Sequence, residues 1–348
     1  MIDNYKPKLD KSLFLKQTIE HIDIIKFDCR SMIEGMRFMA FQSRNLARAC
    51  DIYDKMLEES DLTIILCLSG SLISAGLKKV IIEMLSNNMI DVIVSTGANI
   101  VDQDFFESIG FKHYIGNPFT DDKILQENHV DRIYDTFIDE DELRICDNTI
   151  TDIADSLPSQ SYSSREFILE MGKYLYGKNV KQSESITLIA YNKGVPIFVP
   201  AFSDSSAGFG LVKHQFNKLA DKNYLSIDSV KDFRELTNLK IKNKETGIII
   251  IGGGVPKNFT QDIVVAAEIL EKDVPMHKYA IQLTVADERD GALSGSTLKE
   301  ANSWGKVDST FEQMVYGEAT ITFPILASFA YHNKKWINRK EKRLNDDL

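Results

Sequence analysis

The 348 residues are 43% hydrophobic and 26% charged, a globular composition that excludes a disordered chain. Their 41 lysines and arginines against 51 aspartates and glutamates give a net charge of −10, which argues against sequence-independent binding to nucleic acid. No apolar run approaches the ~20 residues that span a bilayer. Residues 1–16 lack the apolar core of a secretory signal, so we expect a cytoplasmic protein.

The N-terminal half predicts a helical extension followed by a strand–helix–strand unit. Residues 31–59 carry apolar side chains at helical spacing, which predicts one or two amphipathic helices within an extension spanning residues 1–60. Short apolar runs at 62–68 and 90–94 flank a helical pattern at 72–85, the order expected of a βαβ unit. Both runs end in small, polar loops, Ser69-Gly70-Ser71 and Thr96-Gly97-Ala98. Ligands bind at this edge of open α/β sheets.

The same alternation continues through the rest of the chain. Further strands are predicted at 195–199, 247–251 and 279–285, with helices at 184–192 and from near Phe259. Ser163 and Glu166 form a capping-box pattern for a helix that runs to Tyr176. We predict an α/β fold whose main domain, residues 61–333, is a Rossmann-like, doubly wound and mostly parallel sheet of five or more strands. A charged tail, residues 334–348, is expected to fray or lie on the surface.

The cysteines and histidines show no metal-binding pattern. The four cysteines are widely separated, and the six histidines lack HxH or HExxH spacing. We expect reduced, mostly buried thiols at Cys29, Cys50, Cys67 and Cys146, and no zinc site.

Three glycines, Gly252-Gly253-Gly254, separate a buried strand from a helix. A glycine backbone there can approach a pyrophosphate closely, and a helix N-terminus favours its negative charge. The triplet is not a GxGxxG motif and no P-loop lysine–serine pair follows, so a tight structural turn explains it equally well. Small residues at three strand ends together favour a nucleotide cofactor.

Residues 287–306 carry the most informative set of side chains. On a helix, Glu300 and Trp304 would share one face, and an anion beside an aromatic ring suits a cationic amine. Burial beside Trp304 would favour the neutral amine of Lys306, a nucleophile that forms imines. The alternative is a surface lysine that follows a helix and a core tryptophan.

From Phe27 to about His332 the chain resembles the deoxyhypusine synthase family in the order and spacing of separate motifs. The matching segments are Phe41-Gln42 with Asn45, Arg48 and Ala49; Leu72-Ile73-Ser74-Ala75-Gly76; Asn88-Met89-Ile90-Asp91-Val92; Asn128 with Asp131-Arg132-Ile133; Val195-Pro196-Ile197-Phe198 with Pro200-Ala201; Ile250-Ile251-Gly252-Gly253-Gly254-Val255; and Glu300-Ala301 with Ser303-Trp304-Gly305-Lys306. The last motif is the most specific.

The resemblance implies an NAD-binding sheet, a homotetramer with sites at subunit interfaces, and transfer of a 4-aminobutyl group from spermidine to an amine. In the family's mechanism the donor is oxidised to an imine, a lysine captures the butyl fragment, and an acceptor amine takes it before the hydride returns. Lys306 matches that lysine. The implied amine contacts are Asp290, Gly291, Glu300, Trp304 and Lys306. The implied NAD contacts are Gly70, Ser71, Ser74, Thr96, Gly97, Ala98, Asp102, Asp204, Gly253, Ala286, Glu318 and Ala319.

Three positions depart from the eukaryotic deoxyhypusine synthases. Phe209 and Leu293 stand where those enzymes have aspartates, and Asn258 stands where they have a histidine. Each lost carboxylate would remove a charge-assisted hydrogen bond of roughly 1.5–3 kcal/mol to a polyamine. The sequence is therefore closer to the deoxyhypusine synthase-like branch, and a small diamine acceptor with a homospermidine-type product is expected.

Other functions stay open at this point. The first is a true deoxyhypusine synthase, which would modify a lysine of a translation initiation factor 5A-type protein with spermidine. The strand-end loops alone also fit an ordinary NAD dehydrogenase, and the three changed positions also fit a non-catalytic binding protein.

Overall fold

A computed structural model describes residues 10–289 and 296–348. Its strands are β1 Thr63–Leu68, β2 Val92–Ser95, β3 His113–Ile115, β4 Val130–Ile133, β5 Thr136–Asp139, β6 Ser161–Tyr162, β7 Ile197–Phe198, β8 Ser226–Ile227, β9 Thr246–Ile251, β10 Tyr279–Thr284 and β11 Glu312–Tyr316. Six of them form the central sheet, in the order β11-β10-β9-β1-β2-β7, and every neighbouring pair is parallel. The predicted doubly wound, mostly parallel sheet is confirmed. Two smaller sheets, β3-β5-β4 and β6-β8, lie outside it.

Helices connect the strands. The α-helices are α1 Arg30–Met36, α2 Phe41–Glu58, α3 Lys78–Ser86, α4 Phe106–Ser108, α5 Asp122–Glu127, α6 Glu140–Ser156, α7 Ser164–Gly177, α8 Ile186–Lys193, α9 Ser206–Asn217, α10 Ser229–Lys242, α11 Gly254–Gln261, α12 Ile263–Ile269, α13 Leu298–Ser303 and α14 Ala319–Asn333. Two π-helical segments, Ile73–Leu77 and Ala98–Phe105, precede α3 and α4. Short 3-10 turns lie at Lys11–Leu13, Ile24–Lys26, Gln182–Glu184, Lys335–Asn338 and Leu344–Asp347. In the described part of the chain, no helix combines the length and apolarity that crossing a membrane requires.

The core lies on both faces of the central sheet. Along β1, Ile64 and Leu66 belong to one apolar cluster while Ile65 and Cys67 belong to another. All four side chains are almost fully buried, as expected of a parallel strand covered on both sides. This explains why the parallel strands have continuous apolar runs instead of alternating polar and apolar residues.

Several local predictions are confirmed. The two expected N-terminal helices are α1 and α2, and the buried face of α2 joins the same cluster as the sheet. The Ser163–Glu166 capping box is present, with both of its hydrogen bonds, at the start of α7. The helix expected near Phe259 instead begins at Gly254, because the third glycine of the triplet already forms its first turn.

The C-terminal tail lies largely on the surface, as expected, but two of its residues are buried. Arg339 is 5% exposed and its guanidinium lies 2.5 Å from the carboxylate of the buried Asp91. Leu344 is buried as well. The tail has the composition of a solvated segment, but one arginine and one leucine anchor it beneath the sheet.

Candidate active site

The strand order places a crevice between β1 and β9. Numbered within the central sheet, the strands run 3-2-1-4-5-6, so the connections from β1 and β9 leave in opposite directions. Ligands bind at such a reversal in α/β proteins. Gly70 and Gly252 follow these two strands with φ angles of +68° and +83°, which side chains disfavour. The Ser69 hydroxyl joins the two loops, since it donates to Gly253 O and accepts from Gly253 N at 3.2 Å.

The loop after β2 is tied to the loop after β1. Asn99 is fully buried, accepts from Leu72 N at 2.8 Å and donates to Thr96 Oγ1 at 3.1 Å. The Thr96 hydroxyl donates in turn to Gly70 O at 3.3 Å. Backbone and side-chain groups of both loops are therefore held in one network at the carboxyl edge of the sheet.

The loop after β7 closes against this pair. A Cβ atom on Gly97 would lie 2.5 Å from Ser205 Oγ, so a side chain there would push the loops apart. Asp102 Oδ1 accepts from Ser206 N at 2.6 Å and holds the start of α9. The structure thus gathers at one edge nine of the residues predicted to contact the cofactor: Gly70, Ser71, Ser74, Thr96, Gly97, Ala98, Asp102, Asp204 and Gly253.

The other three predicted cofactor residues lie at the same edge, further along the sheet. Ala286 follows β10, and its backbone N–H donates to Thr284 Oγ1 at 3.1 Å. Glu318 and Ala319 follow β11, where the Glu318 carboxylate caps α14 by accepting from Thr320 N at 2.9 Å. They stand one and two strands beyond β9.

Four buried side chains near this edge each have a polar atom without a hydrogen-bond partner among the described residues. The atoms are Ser95 Oγ, Gln103 Nε2, Ser206 Oγ and Gln282 Oε1. An unpaired buried polar atom costs free energy, roughly 1–3 kcal/mol when water cannot reach it. A bound polar group or water at this edge would supply the missing partners.

Asp102 has an unusual titration. Burial raises the pKa of Asp102 to about 7, opposed by the hydrogen bond from Ser206 N and reinforced by Asp147 and Asp204. Carboxyl groups whose pKa is strongly raised by burial are common at functional sites.

We expect this carboxyl group to make stability depend on pH. An unfolded aspartate ionises near pH 4, so between about pH 4 and 7 the folded chain keeps a proton that the unfolded chain has lost. The contribution of Asp102 to stability is therefore present below pH 4, falls as the pH rises to 7, and is constant above. Urea unfolding of wild type and Asp102→Asn should show the wild type losing stability relative to the variant from pH 5 to 7. A pH-independent difference would contradict this assignment.

The segment that carries Lys306 is built on α13. Thr297 caps this helix, and Glu300 completes a capping box because its Oε2 accepts from Thr297 N at 2.6 Å. These Thr297 hydrogen bonds hold the pKa of Glu300 below its ordinary value. The helix ends at Ser303, and Gly305, with a φ of +70°, turns the chain so that Lys306 N donates to Ala301 O at 3.0 Å.

The Lys306 amine lies between an anion and an aromatic ring. Its Nζ is 2.5 Å from Asp262 Oδ1 and 5.3 Å from the centroid of the Trp304 ring. The Lys306 side chain is 16% exposed, whereas Trp304 is 66% exposed. The alternative of a surface lysine and a core tryptophan is therefore wrong for both residues. Glu300 lies in the first turn of α13, and Trp304 and Lys306 lie just beyond its last residue, so the three share one short segment.

Two residues of this site were missed by the sequence analysis. Asp262 is distant in sequence from Lys306 and becomes its ion-pair partner at the junction of α11 and α12. Lys257 is fully buried in α11 and its ammonium donates to Ser296 O. Burial lowers the pKa of Lys257 to about 8, with the Glu300 carboxylate opposing and the Lys306 cation contributing. The position of Lys257 three residues after the glycine triplet was the one signal available.

The remaining predicted amine contacts, Asp290 and Gly291, lie outside the described residues, as does Leu293. Phe209 is 61% exposed on α9, and the Arg144 guanidinium lies 5.9 Å from the centroid of its ring. Asn258 follows Lys257 in α11. Phe209 therefore exposes an apolar ring at the position where the eukaryotic deoxyhypusine synthases have an amine-binding aspartate.

A cavity of about 620 Å³ lies away from these residues, between the 19–27 segment and α3. Its buried wall is an ion-pair cluster in which Glu107 binds Lys78 at 3.0 Å and His21 at 2.8 Å. Hydrogen bonds with His113 and His21, together with the Lys78 cation, hold the pKa of Glu107 well below its usual range despite burial. Because the charges satisfy one another, the cluster has the features of a structural element, and none of the predicted site residues lines the cavity.

Comparison with known proteins gives consistent matches. The deoxyhypusine synthase family profile matches residues 31–330. A deoxyhypusine synthase-like protein of Chlorobaculum parvum is 63% identical over 338 residues, covering 97% of this chain and 96% of the relative. A Methanosarcina mazei protein named "Probable deoxyhypusine synthase 2" is 42% identical over 319 residues, 91% of each chain.

A solved structure supports the fold. The crystal structure of an Entamoeba histolytica protein, described as a deoxyhypusine synthase, has 18% sequence identity and a TM-score of 0.58. It covers 93% of this chain and 99% of that chain. The family profile and the two relatives confirm the resemblance inferred from the motifs, and the chain belongs to the deoxyhypusine synthase family.

Proposed function

We propose that this protein is an NAD-dependent transferase that moves a 4-aminobutyl group from a polyamine donor to an amine acceptor through an imine on Lys306. The observation that carries the proposal is the Lys306 amine, mostly buried between Asp262 and Trp304 in a member of the deoxyhypusine synthase family. Imine formation needs a lysine amine held in a fixed place, and Asp262 fixes the Lys306 amine and lies within reach of the proton that the amine must lose before it attacks.

The crevice between β1 and β9 fits NAD. A Cβ on Gly70 would meet no atom within 4 Å, so the loop after β1 leaves room for a pyrophosphate, and Gly253 stands at the N-terminus of α11, which favours negative charge. Asp102 and Asp204 are the carboxyl groups available to sugar hydroxyls. The chemistry that NAD supplies when bound is reversible hydride removal, which converts a stable C–N bond into an exchangeable imine.

Replacing Gly97 by alanine is expected to weaken NAD binding by at least about tenfold. The added Cβ would meet Ser205 Oγ, which is fixed by its hydrogen bond to Phe202 O at 2.9 Å, so the loops must separate. Titration calorimetry gives the dissociation constant. Gly35→Ala is the matched control, because a Cβ on Gly35 meets no atom within 4 Å. Equal NAD affinity in both variants would contradict the placement of the cofactor.

The donor amine is proposed to bind beside α13. Trp304 offers an exposed aromatic face, while Asp262 beside Lys306 and Glu300 at the start of α13 offer negative charge. Cations bind aromatic faces and carboxylates together, and a polyamine carries several cationic centres. The acidic net charge of −10 favours the approach of such a substrate.

Lys306 performs the exchange. Asp262 Oδ1, at 2.5 Å, is the acceptor for the proton that leaves the Lys306 amine. Nζ then bonds to the imine carbon of the oxidised donor, the former C–N bond breaks, and its electron pair leaves with the departing amine, which takes up a proton. The butyl fragment stays as an imine on Lys306, and attack by the acceptor amine frees Lys306 by the same exchange. Return of the hydride that was removed from the donor then reduces the new imine to the product amine, so the overall transfer involves no net oxidation.

The acceptor is proposed to be a small diamine, which gives a homospermidine-type product. The support is that Phe209 and Leu293 replace two amine-binding carboxylates of eukaryotic deoxyhypusine synthases and Asn258 replaces a histidine that assists catalysis there, with Phe209 exposed and apolar on α9. A protein lysine is the competing acceptor, since a relative 42% identical is named as a deoxyhypusine synthase.

Mass spectrometry of the products tests this proposal. Purified protein and NAD are incubated with spermidine or putrescine, singly and mixed, with and without an initiation factor 5A-type protein. We expect homospermidine or a related polyamine. A butylamine group on a lysine of the factor, without a polyamine product, would assign the alternative function. NADH that accumulates without either product would indicate a dehydrogenase.

The homotetramer and the cytoplasmic location stay predictions. Apolar side chains with more than half of their surface exposed surround the proposed site. They are Phe209, Val255, Val285, Trp304 and Ile321. Such a concentration of exposed apolar groups is typical of an interface. Sedimentation equilibrium should give four times the 39.4 kDa chain mass, and a monomer would contradict the subunit-interface site.

A further inference from the structure

The main chain around Lys306 is held by His277, the residue two positions before β10. Lys306 O accepts from His277 N at 2.9 Å, and His277 O accepts from Asp308 N at 2.9 Å. The two hydrogen bonds form a parallel bridge centred on Val307. The backbone of the proposed nucleophile is therefore fixed relative to His277.

The ring of His277 is fixed independently. It is fully buried, with Nε2 3.1 Å from Thr260 O and Nδ1 2.8 Å from Thr246 Oγ1. A carbonyl oxygen can only accept, so the proton lies on Nε2 and Nδ1 accepts from the Thr246 hydroxyl. The Lys240 ammonium donates to the same hydroxyl oxygen at 2.8 Å. The three hydrogen bonds therefore run in one direction: Lys240 donates to Thr246, Thr246 donates to His277, and His277 donates to Thr260.

Burial and the neighbouring cation keep His277 neutral. They lower the pKa of His277 to about 3, and burial lowers the pKa of Lys240 to about 7. A neutral imidazole with one donor and one acceptor nitrogen is the form that both ring contacts require.

Thr260 lies two residues before Asp262, the carboxylate that pairs with Lys306. The His277 main chain binds the Lys306 side of this pair, and the His277 ring binds the end of α11 that carries Asp262. We propose that His277, oriented by the Thr246 hydroxyl, is a positioning residue that sets the placement of the Lys306 amine against Asp262. This inference rests on the proposed role of Lys306 and adds a residue that does not touch the substrate.

Thr246→Val tests the inference because valine keeps the shape of threonine and removes the hydroxyl. His277 Nδ1 then loses its donor and the ring is free to reorient. We expect kcat for aminobutyl transfer to fall by about tenfold or more, since small misplacements of a reacting group cost that much. KM for NAD should be unchanged, and Thr246→Ser, which restores the hydroxyl, should return kcat to within about twofold of wild type.

Three results would overturn the proposal. The first is a wild-type kcat in Thr246→Val, and the second is an equal loss in Thr246→Ser. The third is a rise in KM for NAD that matches the fall in kcat, which indicates general disruption. If Thr246→Val does not fold, His277→Asn replaces it, since asparagine can accept from Thr246 but loses the contact with Thr260. A wild-type kcat in His277→Asn would overturn the proposal equally.

A labelling experiment separates this inference from the function itself. Acetaldehyde with cyanoborohydride alkylates accessible amines, and mass spectrometry compares Lys306 with the 65%-exposed Lys173 as an internal reference. Thr246→Val should raise Lys306 labelling by about threefold as its contact with Asp262 loosens, while Thr246→Ser should not. No aminobutyl product in wild type would reject the proposed function. Unchanged labelling in Thr246→Val would reject the positioning role.

Discussion

Replacing Lys306 by alanine is expected to reduce aminobutyl transfer by at least about three orders of magnitude, the scale of removing a covalent nucleophile. Alanine cannot form the imine, whereas the loops after β1, β2 and β9 that are proposed to bind NAD do not involve Lys306. NAD affinity should therefore stay within about twofold of wild type. Product formation followed by mass spectrometry and NAD binding followed by calorimetry give the two quantities separately.

Two further variants sharpen this test. Lys306→Arg keeps a cation beside Asp262 but cannot form an imine, so it should be as inactive as alanine. Lys299→Ala removes an exposed lysine from the same helix and should retain activity. Equal loss of transfer and of NAD binding in Lys306→Ala would mean that the lysine is structural.

Replacing Arg339 by alanine is expected to lower the free energy of unfolding by about 3–5 kcal/mol, the cost of breaking a buried ion pair from one side. The Arg339 guanidinium donates to Asp91 and to four backbone carbonyls, those of Met56, Glu59, Leu62 and Asn88. Burial raises the pKa of Asp91, and Arg339 opposes this shift, so its removal leaves an unpaired buried carboxyl group. Urea unfolding measures the change.

Arg343→Ala is the matched control for Arg339. Its side chain is 48% exposed and pairs with Glu341 and Asp346 at the surface. Surface pairs of this kind contribute about 0–1 kcal/mol. If the two variants unfold at the same urea concentration, the tail does not anchor the fold as described.

The sheet could be predicted because its signals are local. The run Ile248-Ile249-Ile250-Ile251 is too short for a helix and is followed by glycines, and the structure has β9 there. Ser163 and Glu166 are three residues apart, so the capping box of α7 was visible directly. The gathering of loops at one edge followed from the parallel arrangement of the strands.

The ion pairs could not be predicted, because their partners are distant in sequence. Nothing near Lys306 points to Asp262, and nothing in the tail points to Asp91 as the partner of Arg339. Exposure failed as a prediction for the same reason, since Trp304 lies outside the core while Lys306 is mostly covered. Hydrophobicity indicates average burial only, and the end of α13 is determined by tertiary packing and by the turn at Gly305.

The central claim is that Lys306 carries the butyl fragment, and borohydride trapping tests it most directly. The wild-type protein is incubated with spermidine and NAD, reduced with borohydride, digested and analysed by mass spectrometry. We expect one aminobutyl group on Lys306, formed only when both NAD and the amine are present. Modification of a different lysine, or product formation with no adduct on Lys306, would contradict the account.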